Sequence, residues 1–180
     1  MKHVQFGRWD LRWVLVAVAG GLISCAHAPL APCSSAEPLR ISLRASAQLN
    51  PSENGDALAT VVRVYQLKGT GRIGAASFDD LLDHDKDTLG EDFIGVQEVT
   101  VSPGANLDPP LVRSAEATHV AVVALFRKPT STTWRALEKL PPPDPQHCHA
   151  PQSNGKGAPA KNTTLTFQLN ENRVVTMKTP

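Results

Sequence analysis

The densest set of potential metal ligands is Asp83-His84-Asp85-Lys86-Asp87, whose alternating carboxylates invite a calcium-loop reading. A twelve-residue loop of that kind needs glycine at its sixth position for the sharp turn and a bidentate glutamate at its twelfth. Thr88 and Ile94 stand there instead, so the run reads as a solvated acidic face and no metal is assigned. No G-x-S-x-G elbow and no glycine-rich loop ahead of a helix is present. His119 stands at the entrance of an apolar run, where a structural histidine fits better than a catalytic one. The residues give catalysis weak support, and the chain is read as a non-enzyme.

The three cysteines are more informative. Leu22-Ile23-Ser24-Cys25 resembles the bacterial lipobox, in which the thiol is diacylated and becomes the new N-terminus after cleavage. That chemistry needs a thiolate at Cys25 and a small residue before it, here Ser24. The preceding stretch fits: Lys2, Arg8 and Arg12 make a positive start despite Asp10, and Trp13 to Ile23 form a short uncharged core. Such a core is too short to span about 30 Å of hydrocarbon but suits a signal peptide. An ordinary signal peptide with an incidental cysteine is the alternative. Several acyl chains, at ~0.8 kcal/mol per buried methylene, hold a protein to a membrane where one does not. Ala26, rather than aspartate, follows Cys25, which by the usual sorting pattern implies the inner leaflet of the outer membrane.

Cys33 and Cys148 remain. In an exported protein an even pair reads as a disulfide. A bridge closing that long separation would contribute roughly 4–5 kcal/mol on the chain-entropy argument. His147 and His149 flank Cys148 and raise a metal site as the competing reading, but three consecutive residues cannot easily aim three ligands at one ion. Asn162-Thr163-Thr164 matches a glycosylation sequon, discounted because the lipobox is bacterial.

These residues need a body to position them. Of 180 residues, 15 are proline and 41% are hydrophobic, with 18 basic residues against 17 acidic. This near-neutrality excludes a polyanion binder, and the apolar content excludes wholesale disorder. Without residues 1–24, three basic residues and one acidic residue are lost, and the formal charge becomes −1. Residues 25–38 read as the lipidated cysteine and a proline-rich tether, through Pro29, Pro32 and Pro38. From 39 onward the period is two. Leu39, Ile41, Leu43, Ala45, Ala47 and Leu49 alternate with polar residues, predicting a half-buried strand. Asn50 to Asp56 breaks it with dense turn chemistry, and Thr60 to Leu67 predicts the second strand.

Ser77-Phe78-Asp79-Asp80 reads as the capped start of a helix. Strands are predicted over Phe93 to Val101, Leu107 to Val112, Thr118 to Arg127 and Trp134 to Leu140, with a turn at Ser102 to Ala105. Thr163 to Leu169 and Arg173 to Thr179 flank Asn170-Glu171-Asn172 as a closing hairpin. The proline-rich stretch 141–162 cannot join a ladder and reads as a surface loop. The sum is a two-sheet β-sandwich over residues 39–180 with a short helical insertion.

In order and spacing, several segments together resemble the outer-membrane lipoprotein of type VI secretion systems, the TssJ (SciN) family. They are Leu49-Asn50-Pro51 with Asn54-Gly55, Val62 to Lys68, Phe78-Asp79-Asp80-Leu81, Asp87-Thr88-Leu89-Gly90, the Pro103-Gly104 turn, Val122 to Arg127, and Trp134-Arg135-Ala136. The match runs from about Leu39 to Leu140. It implies a transthyretin-like sandwich without cofactor, nucleic acid or small-molecule substrate. It also implies an anchoring role, through binding of the periplasmic C-terminal domain of the IcmF-like inner-membrane protein (TssM). The family's contact loop joins the first two strands and maps onto Asn50 to Ala59, which places Asn50, Pro51, Ser52, Glu53, Asn54, Gly55 and Asp56 at the partner interface. Loop 141–162 and the Cys33/Cys148 pair depart from the family. A periplasmic carrier binding a small ligand in the same fold is the alternative, and a cavity with convergent polar groups would mark it. A hydrolase is a weaker option and would need a carboxylate or histidine cluster in a cleft.

Overall fold

Alternation builds the first strand. In the computed structural model, described over residues 37–142 and 163–177, β1 spans Glu37–Ala45. Leu39, Ile41 and Leu43 are buried, while Arg40 is exposed and Arg44 half-buried. β2 (Thr60–Leu67) and β3 (Phe93–Val101) follow the predicted bounds. Between them run three short helices, α1 (Gly71–Ala75), α2 (Phe78–Asp83) and α3 (Asp85–Leu89), and a 3-10 turn at Gly90–Asp92. The remaining strands are β4 (Asn106–Leu107), β5 (Pro110–Arg113), β6 (His119–Ala124), β7 (Arg135–Lys139), β8 (Thr163–Asn170) and β9 (Arg173–Met177).

Two sheets result. One runs β3-β2-β6-β7, antiparallel throughout. The other runs β4-β1-β8-β9, with β5 also pairing β1, and is mixed because β8 lies parallel to β1 from Leu39↔Thr163 to Ala45↔Leu169. Leu39, Ile41 and Leu43 share a sheet face with Leu165, Phe167 and Leu169 through that register. Val62 and Val64 of β2 share one with Ala124 and Val122 of β6. All but Leu165 are members of one buried core cluster, and Leu165 packs against it. Burying each such aliphatic or aromatic side chain contributes about 1.5–3 kcal/mol. Gln66 staples the two sheets: its Nε2 donates to the Val112 carbonyl (2.9 Å) and its Oε1 accepts from Ser114 N–H (2.8 Å).

Ala121 and Val123 on the other face of β6 are fully buried too, because the helical insertion covers that side. Arg63 Nη1 donates to the Leu81 carbonyl at the end of α2, and Tyr65 Oη donates to the Asp85 carboxylate of α3. Arg135 Nη1 and Nη2 donate to the Ala76 and Gly74 carbonyls, both at 2.7 Å. Asp85 is therefore not part of a merely solvated acidic face. It is an anchor of the insertion.

Several boundaries differ from the sequence expectation, β6 among them, which ends at Ala124 rather than Arg127; three have a clear physical reason. β1 ends at Ala45, not Leu49: Ser46 N–H turns to the Leu169 carbonyl, Ala47 becomes exposed, and Leu49 re-enters the core. The predicted strand over 107–112 is split, because Pro109 has no N–H to donate to a ladder and Asp108 turns its carboxylate to Ser42 and Arg44. Trp134 precedes β7 rather than starting it, buried edge-on against Phe78 (5.3 Å between centroids). Cys25, Cys33, Cys148 and the loop beyond Pro142 lie outside the described residues.

Candidate partner-binding site

The loop between β1 and β2 is built on a buried amide. Asn50 is only 3% exposed and adopts a left-handed backbone (φ +47°), a conformation asparagine tolerates better than most residues. Its Nδ2 donates to the Ala59 carbonyl (3.2 Å), closing the base of the loop. Its Oδ1 accepts from Arg127 N–H (2.9 Å), and its own N–H donates to the Glu171 carbonyl (2.8 Å). One residue thus joins three connections: β1–β2, β6–β7 and the β8–β9 turn. Because it is buried, Asn50 acts as the clamp that sets the loop's shape; the resemblance places it among the partner-binding residues.

Ser52 organises the tip. Its Oγ accepts from Asn54 N–H (3.2 Å) and Asp56 N–H (3.1 Å), and its own N–H donates to the Asp56 carbonyl (2.8 Å). Gly55 N–H returns to the Ser52 carbonyl (3.2 Å), and Gly55 itself sits at φ +87°. A side chain there would meet nothing within 4 Å, so the demand for glycine is conformational and not steric. Leu58 N–H donates to the Leu49 carbonyl (3.0 Å) and fastens the return limb.

This scaffold leaves Glu53, Asn54, Gly55 and Asp56 exposed, with Pro51 and Ser52 half-buried beneath them. Lys128 Nζ lies 3.9 Å from Glu53, a pair between two well-exposed side chains that contributes about 0–1 kcal/mol. Two carboxylates and an amide on a hydrogen-bonded platform can recognise a protein surface without ordering a floppy segment on binding. Turn chemistry marks the tip in the sequence but not its neighbours. Arg127 and Glu171 are 77 and 121 residues from Asn50, and no local pattern links them.

A groove of about 580 Å³ runs along β1 beside residues 108–112. Leu39, Ile41, Leu111 and Val112 supply apolar lining, and Arg40, Ser42, Asp108 and Thr164 the polar part. Ser42 and Asp108 already bond each other, and Arg44 Nη1 pairs with Asp108 at 3.1 Å. Two of the groove's polar groups are therefore committed to each other rather than turned toward a small ligand.

A protein-family model described as "Type VI secretion lipoprotein, VasD, EvfM, TssJ, VC_A0113" matches residues 37–172. Among solved structures, the T6SS lipoprotein TssJ1 from Pseudomonas aeruginosa aligns with 81% of this chain and 100% of its own, at 23% identity and TM-score 0.63. Serratia marcescens Lip, a membrane-bound component of the type VI secretion system, aligns over 81% and 99%, at 17% identity and TM-score 0.65. A chain in the structure described as the T6SS protein TssM C-terminal domain (869-1107) from EAEC aligns over 79% and 99%, at 22% identity and TM-score 0.61. At these identities the likeness is one of fold. Comparison with curated protein sequences finds no significant match.

Proposed function

Because the chain belongs to the type VI secretion lipoprotein family, we propose that it anchors a trans-envelope secretion complex at the outer membrane by binding the periplasmic C-terminal domain of TssM. The family match over residues 37–172, which takes in nearly all of the described sandwich, carries this reading. The tip Ser52 to Asp56 is the contact, displayed by the Asn50 clamp. Cys25, acylated after cleavage at Ser24, holds the chain in the outer membrane's inner leaflet, and residues 26–38 set the sandwich off the lipid surface.

The division of labour has a physical logic. Acyl chains supply a membrane affinity that needs no folded surface, so the sandwich is free to present its loops. A rigid β framework limits the entropy lost when those loops meet a partner. Capture of the detergent-extracted full-length chain on beads carrying the TssM domain of the same secretion system tests this directly. Deleting Ser52 to Asp56 should reduce capture by about tenfold or more while leaving the melting temperature within a few degrees. Unchanged capture by the deletion would exclude the tip as the contact. Failure of the intact chain to be captured would exclude the partner.

A further inference from the structure

The tip carries only part of the exposed chemistry at its end of the sandwich. Within the described residues, the non-glycine residues with positive φ are Asn50 (+47°), Ser131 (+50°) and Glu171 (+43°). One lies in each of the three connections that Asn50 joins. Strained backbone persists where surrounding structure over-determines it, and it concentrates at binding sites. The β6–β7 loop is as strongly built as the tip. Thr133 Oγ1 donates to the Thr130 carbonyl (2.9 Å), the buried Trp134 donates Nε1–H to the Ser131 carbonyl (2.8 Å), and Val174 N–H donates to the Thr133 carbonyl (2.7 Å).

Charge separates the two loops. The tip exposes Glu53 and Asp56, and the β6–β7 loop exposes Arg127 and Lys128. Lys128 is engaged by Glu53, while the Arg127 guanidinium has no ion-pair partner among the described residues. Among the described residues its backbone N–H donates to the Asn50 Oδ1. A guanidinium without an ion-pair partner among the described residues, on a fixed loop beside an acidic tip, is a bidentate donor site for a carboxylate.

We propose that residues 127–133 form a second contact with the same partner, with Arg127 as the specificity-determining cation, and that the partner presents a carboxylate opposite Arg127 while meeting Glu53 and Asp56 with donors or cations. This rests on the function proposed above and extends the site from one loop to two. Titration of the detergent-extracted full-length chain with the TssM domain tests it. Arg127→Glu should weaken binding by about tenfold or more, Arg127→Lys should weaken it by less, because the charge stays while the two-pronged geometry is lost, and the salt dependence of association should flatten in the reversed variant. Lys139→Glu makes the same charge change at the opposite end of the sheet, where Lys139 pairs with His119, and should bind like the unmodified chain. The Arg127 side chain is exposed, so unfolding does not confound the result; melting curves confirm it. If tip deletion abolishes binding but Arg127→Glu leaves it intact, the second contact is wrong and the function stands. If Lys139→Glu weakens binding as much as Arg127→Glu, the effect is bulk charge and the second contact is again wrong. If the intact chain does not bind, both readings fall.

Discussion

Asn50 shows how much of a loop's shape can depend on one buried side chain. Its amide satisfies one partly buried acceptor and one partly buried donor, and its backbone occupies a region that disfavours alanine. Asn50→Ala should therefore destabilise the fold by about 2–3 kcal/mol, from unsatisfied groups plus strain. Asn50→Gly should cost less, since glycine accepts φ +47° freely while losing the same hydrogen bonds. Urea unfolding of both variants checks the order; equal losses would mean that the backbone conformation contributes nothing. A second residue-scale device is the cap of α2. Ser77 Oγ accepts from Asp80 N–H, and the Asp80 carboxylate accepts in return from the Ser77 hydroxyl and N–H. Those bonds, the hydroxyl's first, hold the Asp80 carboxyl below its ordinary range. A carboxyl depressed on folding contributes stability above its unfolded value of about 3.9, and that contribution disappears as pH falls through the folded value. Ser77→Ala should lower the melting temperature at neutral pH by about 2–4 °C. Its deficit should begin to shrink as pH falls below about 4 and should reach its minimum only below the depressed folded value, where Asp80 is protonated in both proteins. A deficit constant with pH would contradict the reciprocal cap.

Elements were legible where side-chain period and burial agree. β2 and β3 match their predicted spans because β-branched residues fill both and each ends at a sharp break. The end of β1 was misjudged because Ala47 carries so little apolar surface that its place in an alternating pattern says almost nothing about burial. The helical insertion was half visible. The Ser77–Asp80 cap announced α2, but the packing of the insertion onto the back of β2 depends on Arg63, Tyr65 and Asp85, which are scattered along the chain. Burial first, and then the Asp85 carboxylate, push the Tyr65 phenol above its ordinary range, so it stays a protonated donor. Tyr65→Phe leaves that partly buried carboxylate short of a donor and should cost about 1.5–3 kcal/mol. Hydrogen exchange should accelerate in α2 and α3 before it does in β6. Uniform acceleration across the sandwich would show that the contact is not local to the insertion.

At the scale of the whole molecule, the proposed site is an end of the sandwich rather than a loop. Turn-forming residues marked Asn50 to Asp56 in the sequence, and the family resemblance assigned them a role. Neither could show that β6–β7 and β8–β9 close against the same asparagine, since that proximity follows from strand order. β8 returns parallel to β1 after more than a hundred residues, a pairing that no local pattern encodes. The account then joins two separable functions: Cys25 for membrane attachment and the loop end for the partner. Cys25→Ser should release the full chain from the membrane fraction without changing capture of the TssM domain in solution. Retention in the membrane would contradict the lipid assignment.

The central claim is that one chain links TssM to the outer membrane, and density-gradient fractionation of cell envelopes tests it most directly. The account predicts that the TssM periplasmic domain co-sediments with outer membrane when the intact chain is present. That association should disappear in cells carrying either Cys25→Ser or the deletion of Ser52 to Asp56. If the domain's distribution is the same with the intact chain, with either variant and with no chain at all, the anchoring role is contradicted.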